Sequence, residues 1–268
     1  HILGHEGPGS LTSQLKKKGW INELMCGVER EDGLQCNSMF SLMVVELSLT
    51  EDGLIHFEDV ISAVYQYLAL MRAEPGPQEW VYDELKAVRE MRFRFHQEIS
   101  ADEYVQSLAA DMLTYAPEHT LSGGFLYKEW DPGFVVALLG YMMPWNMRAI
   151  LASNTNEHTA RVEAAVAAAE RVAKQAAKEQ KKAGIKSVSP SLSMTFDGQA
   201  SRAGGGKEPW FGVSFARERF AADKMVGWAA GAAPEASECV VAGLHLVPPN
   251  QFIATQFSLL PPTTSIEE

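Results

Sequence analysis

The sequence predicts an α+β fold in which helices pack on one face of an antiparallel sheet. Two extended runs come first, several helical runs follow, and another extended run comes after them, so strands and helices are not arranged as repeating β-α units. Hydrophobic residues make up 46% of the 268 residues and charged residues 21%, which is sufficient for a packed core.

The first predicted elements are a loop, a short helix and two strands. Gly7-Pro8-Gly9-Ser10 is typical of a loop, and a helix then runs into three lysines before Gly19, a residue type favoured just after a helix end. Strands are expected over residues 20–28 and 39–49, because apolar side chains alternate along the second run.

Helical periodicity follows in several segments. Stripes of apolar residues predict helices over residues 57–71, 78–95 and 100–113. The third begins with Ser100-Ala-Asp-Glu103, a pattern typical of a capping box. Asp131-Pro132 is a suitable start for another helix as far as Tyr141. A returning strand is expected over residues 147–152.

The composition changes after Asn154 and predicts three parts of the chain. Residues 1–153 form the main body. Residues 154–207 combine an Ala-rich helical insertion, with too few apolar residues to bury a face, and a Gly/Ser-rich linker that we expect to be mobile. Residues 208–268 form a return segment, which begins at Glu208-Pro-Trp-Phe-Gly212, and a proline-punctuated extended tail.

Charge and cysteine content restrict the class of function. The net charge of −11 argues against nucleic-acid binding, and no apolar run approaches the roughly 18 residues that a membrane-spanning helix needs. The three cysteines, Cys26, Cys36 and Cys239, have no metal-ligand spacing, and their odd number argues against a disulfide framework. We expect reduced thiols in the cytoplasm or another reducing compartment; a pair between Cys26 and Cys36 is the alternative under oxidation.

The segment His1-Ile-Leu-Gly4-His5-Glu6 carries the chemistry that can be read most directly. Two histidines four residues apart share a helical face, and one class of zinc protease uses H-x-x-E-H with the glutamate as general base. Gly4 occupies the position of that glutamate, and Glu6 projects in a different direction. This chain is therefore not expected to hydrolyse peptides.

Several motifs resemble the second, non-catalytic domain of the insulinase/pitrilysin family of zinc metallopeptidases. The segment His-Ile-Leu-Gly-His-Glu-Gly-Pro-Gly-Ser-Leu at residues 1–11 is the first of them, and Lys-Lys-Gly-Trp-Ile-Asn at residues 17–22 is the second. Further motifs match in order at residues 49–54, 72–80, 93–95, 208–212 and 249–255. The resemblance implies the metallopeptidase-like roll of the insulinase and mitochondrial processing peptidase type. This roll is expected to be incomplete at its N-terminus, because the family has a strand before the helix that ends at the position of His5, and the sequence starts after that strand.

The resemblance also implies where the zinc belongs. Family members are zinc endopeptidases of four homologous domains around a chamber, and the intact H-x-x-E-H lies in the first domain. His1 and His5 then look like a degenerate copy of the catalytic helix, with Glu79 or Glu84 in place of the third ligand. No cofactor is expected in this chain, and the zinc is expected in the catalytic domain of the parent protein.

The family further implies a substrate-binding exosite, in which the N-terminal segment of a peptide is added as a β-strand. The residues that match it are His1, Gly4, Glu6, Leu24, Met25, Cys26 and Gly27. An unpaired strand edge offers backbone groups to any extended peptide, and Glu6 would supply negative charge for the peptide ammonium. Cys26 replaces a small glycine of the family, and residues 96–102 lack its basic run, so polyanion activation is not expected.

Three functions remain open at this point. The first is a non-catalytic, substrate-anchoring and chamber-forming domain of a zinc metalloendopeptidase that degrades small peptides. The alternatives are a purely structural, non-proteolytic subunit of the processing-peptidase or core-protein type, and a self-standing peptidase or metal-binding protein. Expected partners are peptide substrates and the catalytic and C-terminal domains of the same parent chain, without nucleic acid or membrane. An exposed sheet edge also predicts self-association.

Overall fold

A computed structural model of the chain describes residues 1–29, 35–73, 76–155, 158–160, 162–164, 166–167, 171, 174–175, 204–230, 243–254 and 257. It has two compact units: His1–Asn146 together with Trp228–Glu268, and Met147–Gly227. The described residues form helices and two small antiparallel sheets, which confirms the predicted α+β class.

The first unit begins with a loop, helix α1 (Leu11–Lys17) and strands β1 (Ile21–Gly27) and β2 (Val44–Leu49). The strands are antiparallel, with Leu24 opposite Leu47 and Gly27 opposite Val44. The second strand is shorter than predicted. The side-chain Oδ1 of Asn37 accepts hydrogen bonds from the backbone N–H groups of Met39 and Phe40, so the first residues of the predicted strand belong to a turn.

Helix α2 (Glu51–Ile55) follows β2 and was not predicted. The helices that were predicted in this unit are confirmed as α3 (Phe57–Arg72), α4 (Glu79–Arg94), α5 (Ala101–Thr114) and α6 (Pro132–Tyr141). The carboxylate of Asp131 accepts the backbone N–H of Phe134 at 2.9 Å and caps α6 as predicted. The prediction of a capping box at the start of α5 was wrong, because the Ser100 side chain accepts no hydrogen bond from the backbone N–H groups of the helix. Its hydroxyl instead hydrogen-bonds to Asp102, which lowers the pKa of that carboxyl.

The core of the first unit lies where α1 packs against β1 and α3. Leu11 and Leu15 of α1 are fully buried, as are Ala63 and Tyr67 of α3, and Leu24 of β1 is 5% exposed. Neither α4 nor α5 contains a fully buried residue. The buried side chain of Leu24 therefore anchors one face of β1 in the core.

The return segment contacts the beginning of the chain. The backbone N–H of His245 donates to the carbonyl oxygen of Gly9 at 3.0 Å, and Gln14 Nε2 donates to the carbonyl oxygen of Gly243 at 3.0 Å. Val247 is 5% exposed. This part of the tail therefore covers the N-terminal loop.

The second unit contains an antiparallel pair, β3 (Gly204–Lys207) and β4 (Ser214–Arg217), and it includes the first residues of helix α7 (Ala222–Ala230). Residues 204–207 were expected in the linker, and this was wrong. Backbone pairing with β4 orders the glycines, and the absence of a side chain at Gly206 leaves room for the ring of Phe215. Residues 176–203 of the predicted insertion and linker lie outside the described residues.

The strand predicted over residues 147–152 was also wrong. These residues have no regular secondary structure, and Ile150 is 87% exposed. An apolar run becomes a strand only where a sheet receives it, and the described parts of this unit contain only the β3–β4 pair. Among the described helices, none has both the length and the apolar character needed to cross a bilayer.

Candidate functional site

The N-terminal segment forms a turn rather than the predicted helix. The backbone N–H of His5 donates to the carbonyl oxygen of Ile2 at 3.2 Å, and the Nδ1 atom of His5 accepts the backbone N–H of Gly7 at 2.8 Å. The prediction that His1 and His5 share a helical face was therefore wrong. Gly4 is a weak helix former, and the loop that follows uses the His5 ring for its own hydrogen bonding. The two rings lie edge to face, 5.6 Å apart.

Gly9, in the same loop, is constrained by its backbone conformation and by a neighbouring side chain. Its φ of 79° lies in the left-handed region, and a side chain there would overlap the ring of His245. Sequence reasoning missed this contact between Gly9 and His245. The only signal was the glycine itself, since nothing in the sequence shows which distant residue occupies the space that Gly9 leaves.

Glu84 links α4 to the N-terminal segment. Its Oε1 atom lies 3.7 Å from Nε2 of His1, and its Oε2 atom accepts the backbone N–H of Asn250 at 3.0 Å. The Glu84 side chain is 10% exposed, whereas Glu79 at the start of α4 is exposed. Of the two glutamates that the sequence suggested near the histidines, the structure places Glu84 there.

This cluster does not fit a zinc site. Within the described ranges, no group of three or more histidine, cysteine, aspartate or glutamate side chains could hold a metal ion. The oxygens of Glu84 already contact His1 and Asn250, and Nδ1 of His5 already accepts a hydrogen bond. The chemistry of the cluster is that of a hydrogen-bonded support for the N-terminal turn.

Strand β1 has one edge beside the N-terminal turn. Its sheet contains only β1 and β2 among the described residues, so the edge away from β2 has no strand partner there. Gly4 lies against Cys26 of β1: a Cβ atom on Gly4 would be 3.4 Å from Cys26 Cβ and 3.8 Å from Cys26 N. The structure therefore brings Gly4 and Cys26 together.

The Cys26 thiol is held in its neutral form. Burial raises its pKa. A raised pKa leaves little thiolate at neutral pH, so Cys26 is a poor nucleophile. Cys26 and Cys36 are both free thiols, and Cys239 lies outside the described residues.

The remaining predicted site residues differ in what they can offer a ligand. The side chain of Leu24 belongs to the core, so only its backbone can take part, while Met25 is 54% exposed and Gly27 is exposed. Glu6 was expected to offer its charge to an ammonium, but its carboxylate lies 3.3 Å from Lys16 Nζ. Both side chains of that pair are exposed, so the pair contributes about 0–1 kcal/mol and is easily exchanged.

An apolar cavity of about 280 Å³ lies beside the N-terminal turn, and His1, Ile2 and Leu3 form part of its wall. The N-terminal residues, α3, α4, α6 and the tail all contribute to its wall, and part of that wall is aromatic. Tyr82 lies 5.5 Å from Trp130 and 5.9 Å from Tyr127, measured between ring centroids. Sequence reasoning missed this cavity, although apolar residues almost all round α6 indicated contacts on more than one side.

Comparison with known proteins places the chain in a family. Residues 1–88 match the family described as "Peptidase M16 inactive domain", and residues 93–194 match "Middle or third domain of peptidase_M16". The boundary between these matches falls within α4. Together they span most of the chain, which belongs to the peptidase M16 family, the insulinase/pitrilysin family that the motifs resembled.

Relatives and a solved structure agree with this assignment. A nardilysin-like protein of Arabidopsis thaliana is 34% identical over 97% of this chain and 20% of its own length. Human insulin-degrading enzyme is 38% identical over 59% of this chain and 15% of its own length. The crystal structure of pitrilysin is 22% identical in sequence to this chain. The structural match covers 97% of this chain and 22% of the pitrilysin chain at a TM-score of 0.67, which confirms the fold. The chain thus spans about a fifth or less of the length of these relatives.

Proposed function

We propose that this chain is a non-catalytic, substrate-anchoring and chamber-forming part of an insulinase-type zinc metalloendopeptidase that degrades small peptides. It binds the N-terminal segment of a peptide by strand addition to β1. The observation that carries this proposal is the edge of β1 beside Gly4 and Cys26, which has no partner strand in the described part of the chain. The match of residues 1–88 to an inactive peptidase domain supports it.

The binding is based on backbone hydrogen bonds. An extended peptide donates and accepts along the edge of β1, while Leu24 anchors the strand in the core from the other side. Backbone pairing depends little on sequence, which suits an enzyme that acts on varied small peptides. The ammonium of the peptide lies toward the N-terminal turn. There the Glu6 carboxylate leaves its ion pair with Lys16 and pairs with the peptide ammonium instead.

Hydrolysis belongs to the rest of the parent protein. The catalytic domain supplies the zinc and its bound water, and this chain supplies a surface that holds the substrate. Gly4 stands where a general base would be needed, and His1 and His5 are engaged in the turn. The partners are therefore peptide substrates and the catalytic and C-terminal domains of the same parent, in the cytoplasm or another reducing compartment.

Calorimetry with short peptides tests the proposal. A peptide with a free N-terminus is expected to bind this chain, and acetylation of its amine or N-methylation of alternate backbone nitrogens should weaken binding about tenfold or more, since each removes a charge or several hydrogen-bond donors. Absence of binding to any free-amine peptide would favour the purely structural subunit instead.

A pair of glycine substitutions gives the matched control. Gly4→Leu places a side chain against Cys26 at the edge of β1, and binding should fall at least tenfold. Gly140→Leu in α6 introduces the same side chain where nothing lies within 4 Å, and binding should be unchanged. Equal affinities of the two variants would contradict strand addition at this edge. We also propose that the same edge pairs with a second copy of the chain at high protein concentration.

A further inference from the structure

The apolar cavity has the size of a pocket for one side chain. Its volume is about 280 Å³, just below the roughly 300 Å³ at which pockets for whole small molecules begin. An apolar cavity of roughly 150 Å³ is already large enough to hold benzene. The cavity can therefore take a phenyl or a branched aliphatic group.

The wall of the cavity defines the chemistry of its occupant. Among the described residues that line it there is no aspartate, glutamate, lysine or arginine, and its polar groups include the side chains of His1 and Gln78 and the buried hydroxyl of Tyr82. The amide of Gln78 is already bonded to the carbonyl oxygen of Gly76 at 2.7 Å. A charged group entering this wall would lose water without gaining a countercharge, whereas an aromatic ring would pack against Trp130 and Tyr82.

The position of the cavity connects it with the strand edge. Its wall includes His1, which belongs to the proposed exosite, and Met43, which directly precedes β2. Val44, the next residue, pairs with Gly27 at the end of β1. The cavity thus lies at the end of β1 that contains Cys26 and Gly27, where the N-terminal turn also lies.

We infer that this cavity is a specificity pocket, which accepts one large apolar side chain from a peptide whose backbone is paired with β1. The inference rests on the proposed function and adds a substrate class to it: peptides with a phenylalanine or a branched aliphatic residue near the free N-terminus. Backbone pairing provides binding to many sequences, and the pocket selects among them.

Fluorescence and calorimetry on the 268-residue chain test this inference. Short peptides with a free N-terminus are compared in which a single phenylalanine is moved along an otherwise alanine-based sequence. At one position near the N-terminus, phenylalanine should bind about tenfold or more tightly than alanine, because a buried apolar side chain replaces an exposed one. Aspartate at that position should bind more weakly than alanine. Tryptophan emission should change with the phenylalanine peptide, since Trp80 and Trp130 line the cavity.

Two neighbouring valines of α6 provide the matched variants. Val135 lines the cavity, whereas Val136 does not and is 54% exposed. Val135→Phe should remove the preference for phenylalanine and leave the affinity for the alanine peptide unchanged, while Val136→Phe should keep the preference. Leu85→Phe, which fills the cavity from α4, serves the same purpose if Val135→Phe does not fold.

The outcomes separate this inference from the proposed function. If the alanine peptide binds through its free amine but phenylalanine gives no preference at any position, the pocket is wrong and the strand-edge function stands. A preference that persists in both cavity-filling variants also overturns the pocket. If no free-amine peptide binds, the proposed function fails and the pocket fails with it.

Discussion

The carboxylate of Glu84 lies 3.7 Å from the imidazole of His1, although 83 positions separate the two residues in the sequence. The second oxygen of the same carboxylate accepts the backbone N–H of Asn250 at 3.0 Å. One side chain of α4 therefore contacts both the N-terminal turn and the tail, and it supports the turn that borders β1.

Replacement of Glu84 should destabilise the first unit. Glu84→Ala leaves the Asn250 N–H without its acceptor and removes the carboxylate beside the His1 ring, and we expect a loss of about 1–3 kcal/mol in the free energy of unfolding, measured with urea. Glu84→Gln keeps an acceptor oxygen and should lose less. Glu79→Ala, an exposed site on the same helix, is the control and should change stability by no more than about 0.5 kcal/mol. Equal effects of Glu79→Ala and Glu84→Ala would contradict this role.

The contact between Gly9 and His245 predicts a large effect of a small substitution. Gly9→Ala combines a strained left-handed backbone with overlap on the His245 ring, and it should cost more than Gly19→Ala, which has a φ of 71° but nothing within 4 Å. We expect about 1 kcal/mol for Gly19→Ala and about 2 kcal/mol or more for Gly9→Ala in thermal or urea unfolding.

The double variant Gly9→Ala with His245→Ala isolates the steric part of that cost. Without the His245 ring, the stability cost of Gly9→Ala should fall to that of Gly19→Ala, because only the backbone strain then remains. A double variant as unstable as the sum of its single variants would show that the His245 ring is not what requires glycine at this position.

The raised pKa of Cys26 predicts slow alkylation. Since the thiolate is the reactive form, iodoacetamide should modify Cys26 in the folded chain more slowly than in urea, where burial is lost. The rate on the folded chain should increase with pH as the thiolate forms. Peptide mapping by mass spectrometry measures this at Cys26 itself. Equal rates in the folded and unfolded chain would contradict the burial of this thiol.

Two tyrosines of α3 predict a loss of stability at alkaline pH. Burial raises the pKa of Tyr65 and of Tyr67 from 10.0 to about 12. A group whose pKa is raised on folding stabilises the fold fully below its unfolded pKa, and this contribution disappears as pH rises from about 10 to about 12. The free energy of unfolding should fall in this window.

Tyr67→Phe tests the source of that loss. The Tyr67 hydroxyl is buried and has no hydrogen-bond partner among the described residues, so its removal should be neutral or stabilising by up to about 1 kcal/mol at neutral pH. The variant should also show a smaller loss between pH 10 and pH 12. Strong destabilisation at neutral pH would indicate that the hydroxyl is satisfied.

The helices could be predicted from the sequence because their signals are local. The spacing of apolar residues in α3 and the Asp131-Pro132 start of α6 determine those helices without information from elsewhere in the chain. The family resemblance named Gly4 and Cys26 as residues of one site, and their distance from each other and the choice between Glu79 and Glu84 needed the structure.

The errors concern elements that depend on distant partners. Residues 204–207 are a strand only because β4 pairs with them, and residues 147–152 are not a strand because no described strand receives them. The N-terminal turn, the pairing of Glu6 with Lys16 and the ring of His245 over Gly9 likewise result from tertiary contacts. No periodicity in the sequence contains this information. The divisions predicted at residues 153 and 207 remain predictions.

Amide hydrogen exchange along β1 tests the central claim most directly. The measurement compares the chain alone with the chain saturated by a free-amine peptide, at a protein concentration where ultracentrifugation shows a monomer. Strand addition predicts that the peptide slows exchange at the amides of residues 24–27 that face away from β2. Peptide binding that leaves every amide of β1 exchanging at its original rate would contradict the account.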